Sequence, residues 1–166
     1  SSILERQVKK LRDEHKSLIN MLSSFIETAS VNEDLFNKSK NLTLKILGSR
    51  SKEEVILSVQ ESFQKDFKVD NAILAFYKND EIEALEKKTG FSFHKGSIHC
   101  GSFSKEKMNI LFDDQEVSSM VVAAIINEKE ICLLMLGSYD RTKYLGDEDT
   151  TFIEYIRDIL EKKLAA

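Results

Sequence analysis

From Leu4 onward the chain places core-type residues in alternating steps of four and three: Leu4, Val8, Leu11, His15, Leu18, Leu22, Phe25, Ala29, Asn32 and Phe36. That spacing is a heptad seam, which constrains a helix more tightly than a merely amphipathic pattern does. With Leu4, Leu11, Leu18 and Phe25 at the d positions, Val8, His15, Leu22 and Ala29 fall at a. A β-branched residue at a with leucine at d favours two parallel strands, so the expectation is a parallel homodimer. The competing reading is that this face packs on the chain's own domain. Flanking positions change along the seam: Glu5, Gln7, Arg12 and Glu14 give way to Ile19, Met21 and Ile26. The apolar stripe thus widens beyond what one partner helix covers, and a two-stranded start is expected to open near Leu18 into a bundle that includes the C-terminal helix through its stripe of Phe152, Ile153, Ile156, Ile159 and Leu160. His15 and Asn32 read as register-setting polar residues within the seam, not as ligands.

Gly48 supplies a helix stop, and Ser51-Lys52-Glu53-Glu54 reads as a capping box that starts a second helix running to about Phe67. The expected division is therefore a dimerisation helix over residues 1–48 and a domain over 49–166. Beyond Phe67 the period shortens. Ala72 to Tyr77 reads as a strand, with Lys78-Asn79-Asp80 as a turn and Ile82 to Leu85 as a hairpin partner. From Glu86 to Phe103 neither period holds, and a glycine-aromatic loop or lid is expected. A short amphipathic helix from Ser104 to Phe112 follows. The apolar runs Val117 to Ile126 and Ile131 to Gly137 flank a four-residue connection, too short for a parallel crossover, so they form a central antiparallel hairpin. A last helix from Asp147 to Leu164 carries acids in its first turn and Lys162 and Lys163 in its last, as the helix dipole favours.

A length of 166 residues allows one real core. A formal net charge of −4 argues against nucleic acid as a partner, because that affinity comes largely from lysine and arginine. No stretch has the length of an apolar membrane span, and the N-terminus lacks a signal-peptide core, so a cytoplasmic protein is expected. The first residue already stands inside a helical pattern, which suggests that the natural chain begins earlier. Cys100 and Cys132 make no C-x-x-C pair and read as free thiols.

Signatures for a nucleophile elbow, a phosphate loop, a dinucleotide turn or a zinc helix do not occur. The nearest reactive cluster, His94, His99 and Cys100, falls short of a zinc site's ligand set, and no metal or cofactor is named by the sequence. Phe91, Phe93 and Phe103 with His94, His99, Cys100, Ser119 and Asp140 are the candidates for lining a small-ligand pocket, with core packing the alternative role for the aromatics.

Glu5-Arg6-Gln7 with Leu11-Arg12, then Ala29 and Asn32, then Phe67-x-Val69-Asp70 resemble the pattern of the bacterial family known as domain of unknown function 484. In the second half Cys100-Gly101, Leu111-Phe112, Ser119, Gly137-Ser138-x-Asp140, Lys143-Tyr144, Thr150 and Phe152 resemble that family's tail in order and spacing. The chain departs from it with Lys143-Tyr144 where Arg-Phe is usual, Asp149 in place of a glycine, and Ala124 where a proline is common. The resemblance implies an α+β fold similar to GAF domains: an antiparallel twisted sheet flanked by helices, preceded by a long N-terminal coiled-coil helix. Such domains often dimerise through flanking helices and often hold a small ligand. The resemblance also implies a further segment ahead of this stretch. The cyclic-nucleotide signature of GAF domains is not matched in order. The functional expectation is a non-enzymatic signalling or scaffolding module, dimeric, with a possible small-molecule ligand or protein partner. Its rivals are a small redox enzyme using Cys100, like the methionine-sulfoxide reductases, and a ligand-free interaction adaptor.

Overall fold

The computed structural model describes residues 2–29, 33–128, 130–144 and 147–165, of which 24–29 and 147–150 are described by backbone alone. The chain forms two compact units, Ser1–Ser39 and Lys40–Ala166, and the division falls inside a helix, ahead of the boundary at residue 48 read from the sequence.

In the first unit, α1 (Ile3–Ala29) carries the seam, and α2 (Glu33–Gly48) begins with Glu33 and Asp34 in its first turn. Asp34 pairs with Lys38 one turn on at 2.6 Å. The seam of α1 lies open to solvent at its start, with Leu4 68% and Leu11 65% exposed. Leu18 and Leu22 are half-buried. The side chains of Phe25 and Ala29, and all of Asn32, lie outside the described residues.

In the second unit the last turns of α2 are followed by α3 (Lys52–Lys65), β1 (Asn71–Tyr77), α4 (Asn79–Thr89), β2 (Ile98–Gly101), α5 (Lys105–Phe112), β3 (Ser119–Ile126), β4 (Ile131–Ser138) and α6 (Asp147–Ala165). The four strands make one antiparallel sheet in the order β1-β4-β3-β2. The fold is α+β, with helices on both faces of the sheet. Alternation along the central hairpin sends Val121, Ala123, Ile125, Cys132, Leu134 and Leu136 to one face, where they meet Leu42 and Ile46 of α2, Val59 and Phe63 of α3, and Ile156 and Leu160 of α6. The other face carries Met120, Val122, Ala124, Leu133 and Met135 against Ile82 of α4 and Met108, Leu111 and Phe112 of α5. Each of these large side chains contributes on the order of 1.5–3 kcal/mol of gross burial energy.

Local chemistry sets the element ends. Ser51 Oγ accepts the Glu54 N–H at 3.1 Å, while the Glu54 carboxylate accepts the N–H of Arg50 at 2.7 Å, so the expected box closes one residue further back than usual. Ser49 closes α2 by donating its hydroxyl to the Lys45 carbonyl at 2.7 Å.

Two expectations are corrected. Ile82 to Leu85 is not a hairpin strand but the middle of α4, which Glu81 starts by accepting the Lys78 N–H at 3.0 Å and Gly90 ends in a left-handed conformation with φ 77°. The stretch expected as a loop contains the end of α4 and the edge strand β2, paired with β3 from Ile98↔Ala123 to Gly101↔Met120. On the opposite edge, the outward N–H of Leu74 in β1 donates to Gln60 Oε1 of α3 at 3.1 Å. Among the described residues no helix is long and apolar enough to cross a membrane.

At Gly137 the sheet lies close against the end of α5 and the loop that follows it. A Cβ there would meet Val117 Cγ2 at 3.0 Å and Phe112 Cε1 at 3.1 Å, whereas one at Gly48 would meet nothing within 4 Å. Gly137→Ala is therefore expected to destabilise by about 1–3 kcal/mol through overpacking. Gly48→Ala should leave stability within about 1 kcal/mol of the parent in urea unfolding.

Candidate functional site

The aromatic candidates gather on the α4/α5 face of the sheet. The turn at Gly90 sends the chain under β2, burying Phe91 and Phe93, while Phe103 is half-buried beside them. Phe91 stands edge-on to Phe103 with centroids 4.9 Å apart, and tilted against the His99 ring at 4.8 Å. Phe93 meets His99 edge-on at 5.6 Å. These rings are packed on one another and on the sheet, which is the core role weighed for them above. His99 Nε2 lies 2.9 Å from the Ser92 carbonyl, whereas His94 points to solvent with Nδ1 3.2 Å from the Lys95 carbonyl. His94, His99 and Cys100 are not assembled as ligands, and among the described residues no group of three His, Cys, Asp or Glu could hold a metal ion.

Cys100, Ser119 and Asp140 serve the loop after β4. The half-buried Cys100 thiol donates to the Tyr144 carbonyl at 2.8 Å. Ser119, on the neighbouring strand, donates its buried hydroxyl to the Asp140 carbonyl at 2.6 Å. The Asp140 N–H donates to Ser138 Oγ at 3.1 Å, and its carboxylate accepts both the N–H and the hydroxyl of Thr142, at 2.9 and 2.8 Å. Those two bonds to Thr142 hold the Asp140 carboxyl below the usual carboxylate range. Cys132 is buried in β4, and desolvation pushes its thiol far above the ordinary value, which leaves an inert core sulfur.

Two polar groupings were not apparent from the sequence. Asp70 accepts the Tyr139 N–H at 2.8 Å, the Tyr139 hydroxyl donates to Asp114 at 2.8 Å, and Asn71 donates to the same oxygen at 3.2 Å. This ties the first residues of β1 to the end of β4 and the loop after α5. In the second grouping, the Lys52 ammonium pairs with Glu130 at 2.6 Å and stands 3.9 Å over the Phe76 ring. A local signal existed only for the first, since Asp70 lies in the quoted Phe67-x-Val69-Asp70 run. Lys52 and Glu130 stand 78 positions apart, and no periodicity links them.

The Lys52 grouping borders a cleft of about 300 Å³ formed by the Ser49–Lys52 turn, Val55, Phe76, Asn127, Glu130, Lys163 and Leu164. A wider and more open depression of about 930 Å³ adjoins it along Asn127, Glu128 and the last turn of α6. Neither is lined by the aromatic candidates.

Compared with known proteins, the chain matches over residues 1–166 the family described as "Protein of unknown function, DUF484". Nothing among curated proteins matches it. Among solved structures it is similar to a domain described as belonging to a two-component sensor histidine kinase protein of Sinorhizobium meliloti 1021. That likeness has 14% identity and a TM-score of 0.45, and covers 69% of this chain and 89% of that one.

The Tyr139–Asp114 bond gives the acid response a sign. The Tyr139 hydroxyl, the Glu116 N–H and Asn71 hold the Asp114 carboxyl below its ordinary value. A carboxylate depressed on folding stabilises the fold above its unfolded value, and that contribution is lost as pH falls through the lowered one. Tyr139→Phe is thus expected to be less stable than the parent at neutral pH, with the gap closing in strong acid. Denaturant midpoints measured from neutral pH downward check this, and a gap that stays constant contradicts it.

Proposed function

We propose that this chain, which belongs to the DUF484 family of proteins of unknown function, is a non-enzymatic GAF-like signalling or scaffolding module that dimerises through its N-terminal helix. The observation that carries the reading is the heptad seam of α1, whose opening leucines lie 68% and 65% exposed at Leu4 and Leu11. A helix that presents such a stripe to water gains by covering it with a second copy, and the β-branched a position with leucine at d selects the parallel pair. Further support comes from the resemblance of the family to GAF domains and from the absence of any familiar catalytic signature in the sequence.

The dimer makes coiled-coil transmission along α1 the natural output, with binding at the sheet-bearing unit as the input. The rival redox reading draws on a half-buried Cys100. Its thiol, however, donates a hydrogen bond to the Tyr144 carbonyl, which fastens it to the loop after β4 as a structural contact.

Sedimentation should give a dimer at high micromolar concentration, and Leu11→Asp should weaken it by about tenfold or more. Leu4→Cys should cross-link to its own copy under mild oxidation, as only a parallel register brings identical d positions together. A clean monomer overturns the dimer, and failure of the Leu4→Cys cross-link in a proven dimer overturns the parallel arrangement. Cys100 should alkylate more slowly in the folded protein than free cysteine does; a faster reaction favours the redox reading.

A further inference from the structure

We infer that the cleft between the α2–α3 turn, the β3–β4 turn and the end of α6 is a binding site for a small organic anion, a carboxylate or phosphate carrying a short apolar group. The inference deepens the sensing half of the function proposed above and rests on it for its biological purpose, but not for the binding itself. The cleft holds about 300 Å³, the lower end of the range that small-molecule sites occupy.

Three cations from two segments line it, Arg50 and Lys52 at the α2–α3 turn and Lys163 of α6, against one carboxylate, Glu130. Glu130 is already matched by Lys52 at 2.6 Å. Lys163 donates to a neutral acceptor, the Leu47 carbonyl, at 3.1 Å. The Arg50 guanidinium has no ion-pair partner among the described residues. The cleft therefore carries an excess of positive charge beside an apolar wall of Val55, Phe76 and Leu164. Such a wall lowers the local dielectric, so a charge seated there is felt more strongly than on open surface. Arginine's planar fork matches carboxylate and phosphate oxygens in pairs, and lysine adds a point charge. The α3 terminus is not the attractor, because Ser51 already takes the Glu54 N–H and Glu54 takes that of Arg50. An anion that draws Lys163 off Leu47 also uncovers a carbonyl in the last turn of α2, which gives occupancy a direct structural consequence.

The test is amide NMR of the full chain titrated with inorganic phosphate, phenyl phosphate and benzoate. Saturable shifts are expected at Ser49 to Val55 and around Glu130, with phenyl phosphate or benzoate binding more tightly than inorganic phosphate; which of the two binds identifies the headgroup. Arg50→Gln and Lys163→Gln should each weaken binding by about tenfold, and Glu130→Gln should strengthen it, while Lys105→Gln at a remote surface site should leave it within about twofold. Shifts scattered over surface lysines, no saturation at millimolar ligand, or full affinity in Arg50→Gln and Lys163→Gln overturns the site. Equal affinity for inorganic phosphate and the aryl ligands overturns the role of the apolar wall. Sedimentation reads the dimer separately, so loss of either conclusion leaves the other standing.

Discussion

A strand that is dry on both faces cannot alternate polar and apolar residues, and β3 and β4 are such strands. Seven of the eight residues in each are buried, leaving only Ile126 and Ile131 half-covered, at the turn. Continuous apolar runs are commonest in parallel sheets, where crossover helices cover both faces. Here the same demand is met with antiparallel strands, because α3, α6 and the end of α2 cover one face and α4 and α5 the other. Every other element of this unit is positioned by that hairpin. β1 and β2 extend it on either side, and the helices are amphipathic because each has one hairpin face to cover.

How legible this was depends on the range of the interaction concerned. The hairpin could be read because its two runs are long and the four-residue connection excludes a crossover. The start of α3 could be read because a capping box operates within one turn. The same logic missed α4. Lys78-Asn79-Asp80 carries turn residues, and Ile82 with Leu85 is too short an apolar set to separate a helix from a strand, yet Glu81 at the third position and Gly90 at the end were local signals for a helix. β2 has four residues and owes its strand conformation to the long edge of β3, so nothing in its own sequence specified it. Phe91, Phe93 and Phe103 lie together in the fold, but a sequence cannot say whether a group of rings surrounds a space or fills it. The Lys52–Glu130–Phe76 grouping joins three elements distant in the chain, beyond any pattern of fixed spacing.

The residues that carry the family likeness acquire a mechanical meaning in the second half of the chain. Ser119, Ser138, Asp140 and Thr142 form one chain of hydrogen bonds that turns the backbone as it leaves β4, and Cys100 fixes the same loop at the Tyr144 carbonyl. Their order in the sequence reflects how a loop is fastened to two adjacent strands. Short polar side chains suit this task because a serine or threonine hydroxyl can donate or accept, and an aspartate carboxylate accepts, from backbone close at hand.

The contact between Gln60 and the Leu74 N–H bears on what the open edge of β1 offers to a second chain. β1 is an edge strand of seven residues, Asn71 to Tyr77, with no charge and no proline along it, and that is the composition from which one chain recruits another into a growing sheet. Natural proteins usually blunt such an edge with a lysine, a bulge or a proline, and this chain contains no proline at all. A glutamine amide instead occupies the central outward donor and interrupts the template that an incoming strand would need. Resistance to aggregation at this edge thus depends on a helix residue rather than on the strand itself, and a change at position 60 could leave the fold intact while making the protein adhesive.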